Sequence, residues 1–156
     1  MVQSIIAGNW KMNMGPGDAK ALAQDIIKQL ETTTVTANVE VIVCPTAISI
    51  PEVVNATHSS RIKVGGQNMH YETNGAFTGE ISSEMLVAAG CEFVILGHSE
   101  RRHVFGECDT LINKKVIATQ KTDIIPILCV GETELDRDQG LTFNVVERQL
   151  KKGLYQ

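Results

Sequence analysis

Phe93-Val94-Ile95-Leu96-Gly97-His98-Ser99-Glu100-Arg101-Arg102 is the stretch on which the reading of this chain turns. Four apolar residues in a row have no polar face, and the run is too short for a buried helix. A strand apolar on both faces belongs to a parallel sheet covered by helices. Gly97 then ends the run, and His98 is delivered to the edge where strands give way to loops. In parallel α/β proteins, chemistry gathers at that edge.

Working outward, the same alternation recurs on both sides. Residues 82–89 read as a short helix closed by Gly90 as its C-terminal cap. Residues 109–121 read as a helix with Ile112 and Val116 on one face. Residues 124–130 form a fifth strand, and residues 142–152 a last helix carrying Val145, Val146 and Leu150. Toward the start, residues 62–66 give a third strand. Residues 39–44 give a β-branched second strand, stopped by Pro45, with Thr46 placed to cap a helix running to about residue 55. Ile5 to Gly8 is a first strand ending in Asn9. Leu22, Ile26 and Leu30 mark one face of a helix over 18–30, after a turn at Gly15-Pro16-Gly17.

Strand starts fall roughly thirty residues apart, the length of a βαβ unit. Five such units suit two architectures. One is an open flavodoxin-like sheet. The other is five-eighths of a (β/α)8 barrel, whose whole length is typically ~250 residues. Periodicity does not choose between them, and length alone favours the open sheet.

Composition narrows the function classes. A 156-residue chain suggests one domain, 1–156. The net charge of −4 gives no reason to expect a nucleic-acid or membrane surface. The start at Met1 has no basic region followed by a long apolar stretch, so neither a secretion signal nor a membrane span is expected. Cys44, Cys91, Cys108 and Cys129 form no C-x-x-C pair and read as small buried hydrophobes in a reduced, cytoplasmic protein.

Candidate chemistry sits at the strand ends. Alternation puts Asn9 and Lys11 on one side of the first strand and Trp10 on the other. An inward amide and ammonium could hold an anionic substrate. The same pair also reads as a lysine snorkelling from the sheet rim beside a turn asparagine. At the fourth strand, Ser99 and Glu100 start a helix whose positive end, with Lys11, would keep His98 neutral and make it a donor to a carbonyl oxygen. A capped surface helix with a solvated Glu-Arg-Arg face reads equally well. Phe77, near the tip of the polar loop 74–80, either seeks a pocket on another surface or folds back over its own sheet. Glu132 after the fifth strand reads as a solvated acid beside a tight turn. No phosphate-binding glycine loop and no nucleophile elbow occurs.

Together these segments resemble the triosephosphate isomerase family. The resemblance is carried by Ala7-Gly8-Asn9-Trp10-Lys11-Met12-Asn13, Gly66-Gln67-Asn68, Asn74-Gly75-Ala76-Phe77-Thr78-Gly79-Glu80, Ile95 to Arg102 and Cys129-Val130-Gly131-Glu132. It spans the chain in order and implies an α/β fold: a partial (β/α)8 TIM barrel of five parallel strands with helices outside. It implies interconversion of dihydroxyacetone phosphate and glyceraldehyde 3-phosphate, a glycolytic and gluconeogenic step, through an enediolate, with no metal or organic cofactor. Lys11 would neutralise the phosphate and the enediolate charge, and Asn9 would bind substrate and place Lys11. His98 would be the neutral electrophile, supported by Ser99 and Glu100. Phe77 and Thr78 would dock into a second subunit of a homodimer, where Glu80 and Arg101 would pair.

The family's proton-abstracting glutamate and phosphate-binding glycines follow its later strands, and Gln156 comes before their places. Glu100, Glu132 and Glu134 occupy other matched positions. The expectation is a segment of an isomerase with negligible activity alone. The alternatives are a non-catalytic fragment that binds an intact subunit, and an open flavodoxin-like binding domain.

Overall fold

The computed structural model describes residues 4–33 and 38–155. Residues 1–3 and Gln156, on which the readings of the chain's start and end partly rest, lie outside them. Five strands, β1 (Ser4–Asn9), β2 (Val39–Cys44), β3 (Ile62–Gly66), β4 (Phe93–Leu96) and β5 (Ile125–Leu128), form one sheet in the order β1-β2-β3-β4-β5. Every neighbouring pair is parallel. A flavodoxin-like sheet would place its first strand between the second and third. Sequential order is that of a barrel, so the fold is a curled half-barrel with helices around it.

Alternation along each strand feeds two separate cores. Val43, Val64, Val94 and Leu96 point outward and pack with Ala19, Ala23, Val53, Leu86 and Ile112 of the surrounding helices. Ile42, Cys44, Phe93 and Ile95 point inward and pack with Ile127 and Cys129. That is why β4 reads as uninterrupted hydrophobicity: all four residues are buried. Gly65 faces the inner core where space is shortest. A Cβ there would lie 2.9 Å from Cys44 Sγ and 3.2 Å from Phe93 Cβ.

The helices are α1 (Pro16–Thr32), α2 (Ile50–Thr57), α3 (Ser83–Ala88), α4 (Ser99–His103), α5 (Asp109–Thr119), α6 (Glu134–Asp138) and α7 (Thr142–Gly153), with a 3-10 turn at Ala47–Ser49. Two starts differ from the sequence reading. α1 begins at Pro16 rather than residue 18. A proline in the first turn carries no N–H to leave unpaired, and its fixed φ already suits a helix. Thr46 does not cap α2. Its Oγ1 lies 3.0 Å from Ser49 Oγ, and a 3-10 turn intervenes. α3 closes as expected. Gly90 has φ +91, and its N–H donates to the Val87 carbonyl at 2.9 Å while Cys91 N–H reaches Leu86 O.

All four cysteines are free. Burial, with Cys91 and Cys129 nearby, pushes the Cys44 thiol up to about 12, and burial does the same to Cys91. A thiolate is the reactive form. Brief alkylation at neutral pH, read by peptide mass spectrometry, should therefore label exposed Cys108 and leave Cys44 and Cys91 unmodified. Early labelling of either buried thiol in folded protein would contradict this packing.

β1 and β5 pair on one side only. Ile5 and Ile6, on opposite faces of β1, are 55% and 62% exposed, and Ile125 of β5 is 52% exposed. Open strand edges flanked by apolar side chains are templates for further pairing. The 156-residue chain by itself should self-associate in light scattering. A monodisperse monomer with a sharp unfolding transition would count against that.

Candidate active site at the carboxyl ends of the strands

Residues Asn9, Lys11, Gln67, Asn68, His98, Glu100 and Phe105 line one cleft of about 230 Å³ beyond the ends of β1, β3 and β4. Sequence reading offered Asn9, Lys11, His98 and Glu100 as separate signals, and the sheet brings them together. Trp10 turns the other way and packs against the outer core, as alternation requires.

Lys11 has φ +52, in the left-handed region. That conformation costs a non-glycine residue roughly 1–2 kcal/mol. Both of its backbone groups are held by side chains. Its N–H donates to Asn9 Oδ1 at 2.9 Å, and its carbonyl accepts from Gln67 Nε2 at 2.9 Å. The same Gln67 Nε2 also reaches the carbonyl of Cys44 at the end of β2. In the sequence Gln67 stands at a strand end with no chemical motif around it. Alternation carried past β3 points it inward, which was the available signal.

The Lys11 ammonium meets Glu100 Oε1 at 2.7 Å. That hydrogen bond is the main reason the Glu100 carboxyl lies below the usual glutamate range. α4 starts at Ser99, as the sequence reading has it, and His98 is its N-cap. Its Nδ1 accepts the Glu100 backbone N–H at 3.3 Å. Glu100 Oε2 also stands 3.5 Å from Nδ1. An amide N–H can only donate, so its bond to Nδ1 places the imidazole lone pair on that nitrogen. The ring proton then sits on Nε2. α4 has only five residues, so a single local N–H, rather than a long helix dipole, sets this tautomer. Ser99 is exposed and lines a neighbouring 170 Å³ hollow with His98, Cys129, Gly131 and Glu132.

Glu132 is not the solvated acid expected. Its side chain is 13% exposed and accepts from Arg137 at 3.0 Å. Of the loop residues, Thr78 and Glu80 are exposed. The Phe77 ring folds back onto His70, at 4.2 Å between centroids, and His70 stacks on Tyr71 at 4.3 Å, yet Phe77 remains 39% exposed. The ring thus folds back within its own loop. Arg101 is paired within the chain to Glu107 and lies over the Phe105 ring.

Behind the cleft, Lys115 and Glu107 form a buried pair at 2.6 Å, with side chains 3% and 4% exposed. Lys115 Nζ also donates to Asn68 Oδ1 at 2.8 Å. The pair was missed, because Glu107 and Lys115 each read as ordinary surface charge around a helix start. Burial pushes the Glu107 carboxyl up, but hydrogen bonds and charge from Lys115 and Arg101 outweigh it and hold the group below the usual range. A lowered folded value means stability present above the ordinary glutamate value and lost as pH falls through the lowered one. Glu107→Gln should cost about 3–5 kcal/mol at pH 7 by leaving Lys115 buried without an anion. Urea midpoints should show that deficit shrinking at acid pH, and an unchanged midpoint at pH 7 would refute the pairing.

Comparison with known proteins gives a consistent result. The family model described as triosephosphate isomerase matches residues 4–156. The chain is 46% identical to a triosephosphate isomerase of Moorella thermoacetica over 154 residues, covering 99% of this chain and 60% of that protein. It is 44% identical to one of Aquifex aeolicus, covering 98% and 61%. A crystal structure of triosephosphate isomerase from Bartonella henselae superposes with a TM-score of 0.90 at 35% identity, over 98% of this chain and 62% of that one. The chain therefore spans about 60% of the length of the relatives it matches.

Proposed function

The chain belongs to the triosephosphate isomerase family, and from that premise we propose that the protein carrying it interconverts dihydroxyacetone phosphate and glyceraldehyde 3-phosphate. The observation that carries the reading is the convergence of Asn9, Lys11 and His98 on one cleft. Lys11 supplies the positive charge that a phosphorylated substrate and an enediolate both need. At about 4 Å and an effective dielectric near 20, one such charge pair is worth roughly 4 kcal/mol before desolvation. Asn9 fixes the Lys11 backbone and offers an amide toward the substrate. His98, with its proton on Nε2, donates a hydrogen bond to the substrate carbonyl, so the oxygen can take up charge as the neighbouring carbon loses its proton. Ser99 and Glu100 act in support: Glu100 orients Lys11, and its N–H fixes the His98 ring.

The reaction also needs a base. Glu100 is engaged by Lys11 and Glu132 by Arg137 and Thr142, which leaves neither free to take a carbon-bound proton. A positioned general base is typically worth 10²–10⁴-fold. The 156-residue chain alone is therefore read as having negligible turnover.

The partner reading is a second copy of the chain. A groove of about 270 Å³ beside the site is lined by Met12, Thr46, Ala47, Ile50, Gln67 and Arg101, among others. Its size and its position next to the cleft suit an incoming loop tip carrying Phe77 and Thr78. Glu80 is exposed on the rim of that groove, and Arg101, whose Nε and Nη2 are held by Glu107, keeps Nη1 for a carboxylate of the second copy. The four free cysteines favour a reducing, cytoplasmic setting. Among the described residues, no helix is long and apolar enough to cross a membrane.

A coupled isomerase assay tests the central claim. The 156-residue chain should show no turnover above background, and rates near those of an intact relative would overturn the reading of its carboxylates. In the protein that carries this chain, Lys11→Met and His98→Gln should each lower kcat/KM by at least about 10²-fold, the scale of a lost electrostatic or proton-handling group. Full activity in either variant would sink the assignment.

A further inference from the structure

We propose that Arg102 is the positioning residue that sets the height and angle of the His98 imidazole. The proposal deepens the isomerase reading and rests on it. Arg102 lies one turn along α4 from His98, and its side chain is 8% exposed. It turns back beneath the strand ends and uses three nitrogens on three elements. Nε donates to the Gly97 carbonyl at 2.8 Å, Nη1 to Asp109 Oδ1 at 2.7 Å at the start of α5, and Nη2 to the Cys129 carbonyl at 3.1 Å beyond β5.

The first contact bears on His98. The Gly97 carbonyl belongs to the peptide that links Gly97 to His98, so the guanidinium grips the backbone directly under the imidazole. The helix side of His98 is held separately, by its Nδ1 on the Glu100 N–H and its carbonyl on the Arg102 N–H. One residue thus closes the frame from both directions. The fit is tight: a Cβ at Gly97 would lie 3.1 Å from Arg102 Nη2, and Gly97 itself has φ +69. A lysine cannot reproduce the arrangement. Its single ammonium lacks the planar fork that meets three acceptors in fixed directions. The Cys129 contact also ties the end of β4 to the end of β5, so movement between those strands would be felt at the ring.

Arg102→Lys is the test, read by 15N NMR of the histidines in the protein carrying the chain. Wild-type His98 should show an acceptor-type Nδ1 and a protonated Nε2. In Arg102→Lys both signals should shift toward tautomer averaging, and kcat should fall roughly 10²-fold, the penalty for misplacing a reacting group by about 1 Å, with KM little changed. Val53→Ala, which opens a cavity in the outer core and removes no partner of Arg102, controls for lost stability and should leave the His98 signals in place. If Arg102→Lys does not fold, Asp109→Ala keeps the guanidinium but removes the acceptor of its Nη1 arm, and should give a smaller shift in the same direction. His98 signals that superimpose on wild type in the folded variant would overturn the proposal. A wild-type protein without isomerase turnover would count instead against the isomerase reading, and the NMR comparison would still decide the role of Arg102.

Discussion

A strand covered on both faces has no side chain left for water until it ends. β4 is the extreme case, with every residue buried between an outer core against helices and an inner core against its neighbours. Polar residues are excluded from the interior of such a strand by desolvation. They accumulate where it stops, and because the strands are parallel they all accumulate at the same rim. The grouping of Asn9, Lys11, Gln67 and His98 follows from that exclusion together with register. Asn9 stands beside Cys44, and Gly65 beside Phe93, so the inner row continues around the sheet without a break.

The rim is held by hydrogen bonds to backbone more than by pairing of charges with each other. Lys11 occupies a costly conformation, and the side chains of Asn9 and Gln67 hold its N–H and its carbonyl. His98 is fixed through its own ring nitrogen on an amide. Gln149 does the same after β5, exchanging hydrogen bonds with both backbone groups of Gly131 at 2.8 and 3.1 Å. A side chain that clamps peptide groups tolerates little displacement, so the rim can be ordered although its residues sit on loops.

This division explains what could be read from sequence. The strands and the main helices were legible because apolar periodicity is written in the residues that make the cores. The barrel order was not, since neighbours in a parallel sheet leave no mark in periodicity, and only the family resemblance favoured it. The short helices α4 and α6 lack enough turns to show a period. Thr133 and Asp136 do form a reciprocal capping box at the start of α6. It escaped notice because aspartate stands where glutamate or glutamine is the usual signature. Gln67, Glu107 and Lys115 were missed for another reason. Each acts through a partner forty or more residues away, or buries a charge, and neither is visible from neighbours in the chain.

Sequential strand order also bears on how the chain is made. In the order β1-β2-β3-β4-β5, each strand docks on the one synthesised just before it, and no strand is inserted between two others. Loop closure is short at every step, so assembly can follow the ribosome from the N-terminus, at translation speeds of roughly 5–20 residues per second. The cost falls on the oldest strand. Of the five strands β1 emerges before the others, and its Ile5 and Ile6 still face solvent after β5 has docked. For those seconds the unpaired edge of β1 is an open apolar strand, a place where a chaperone would be useful.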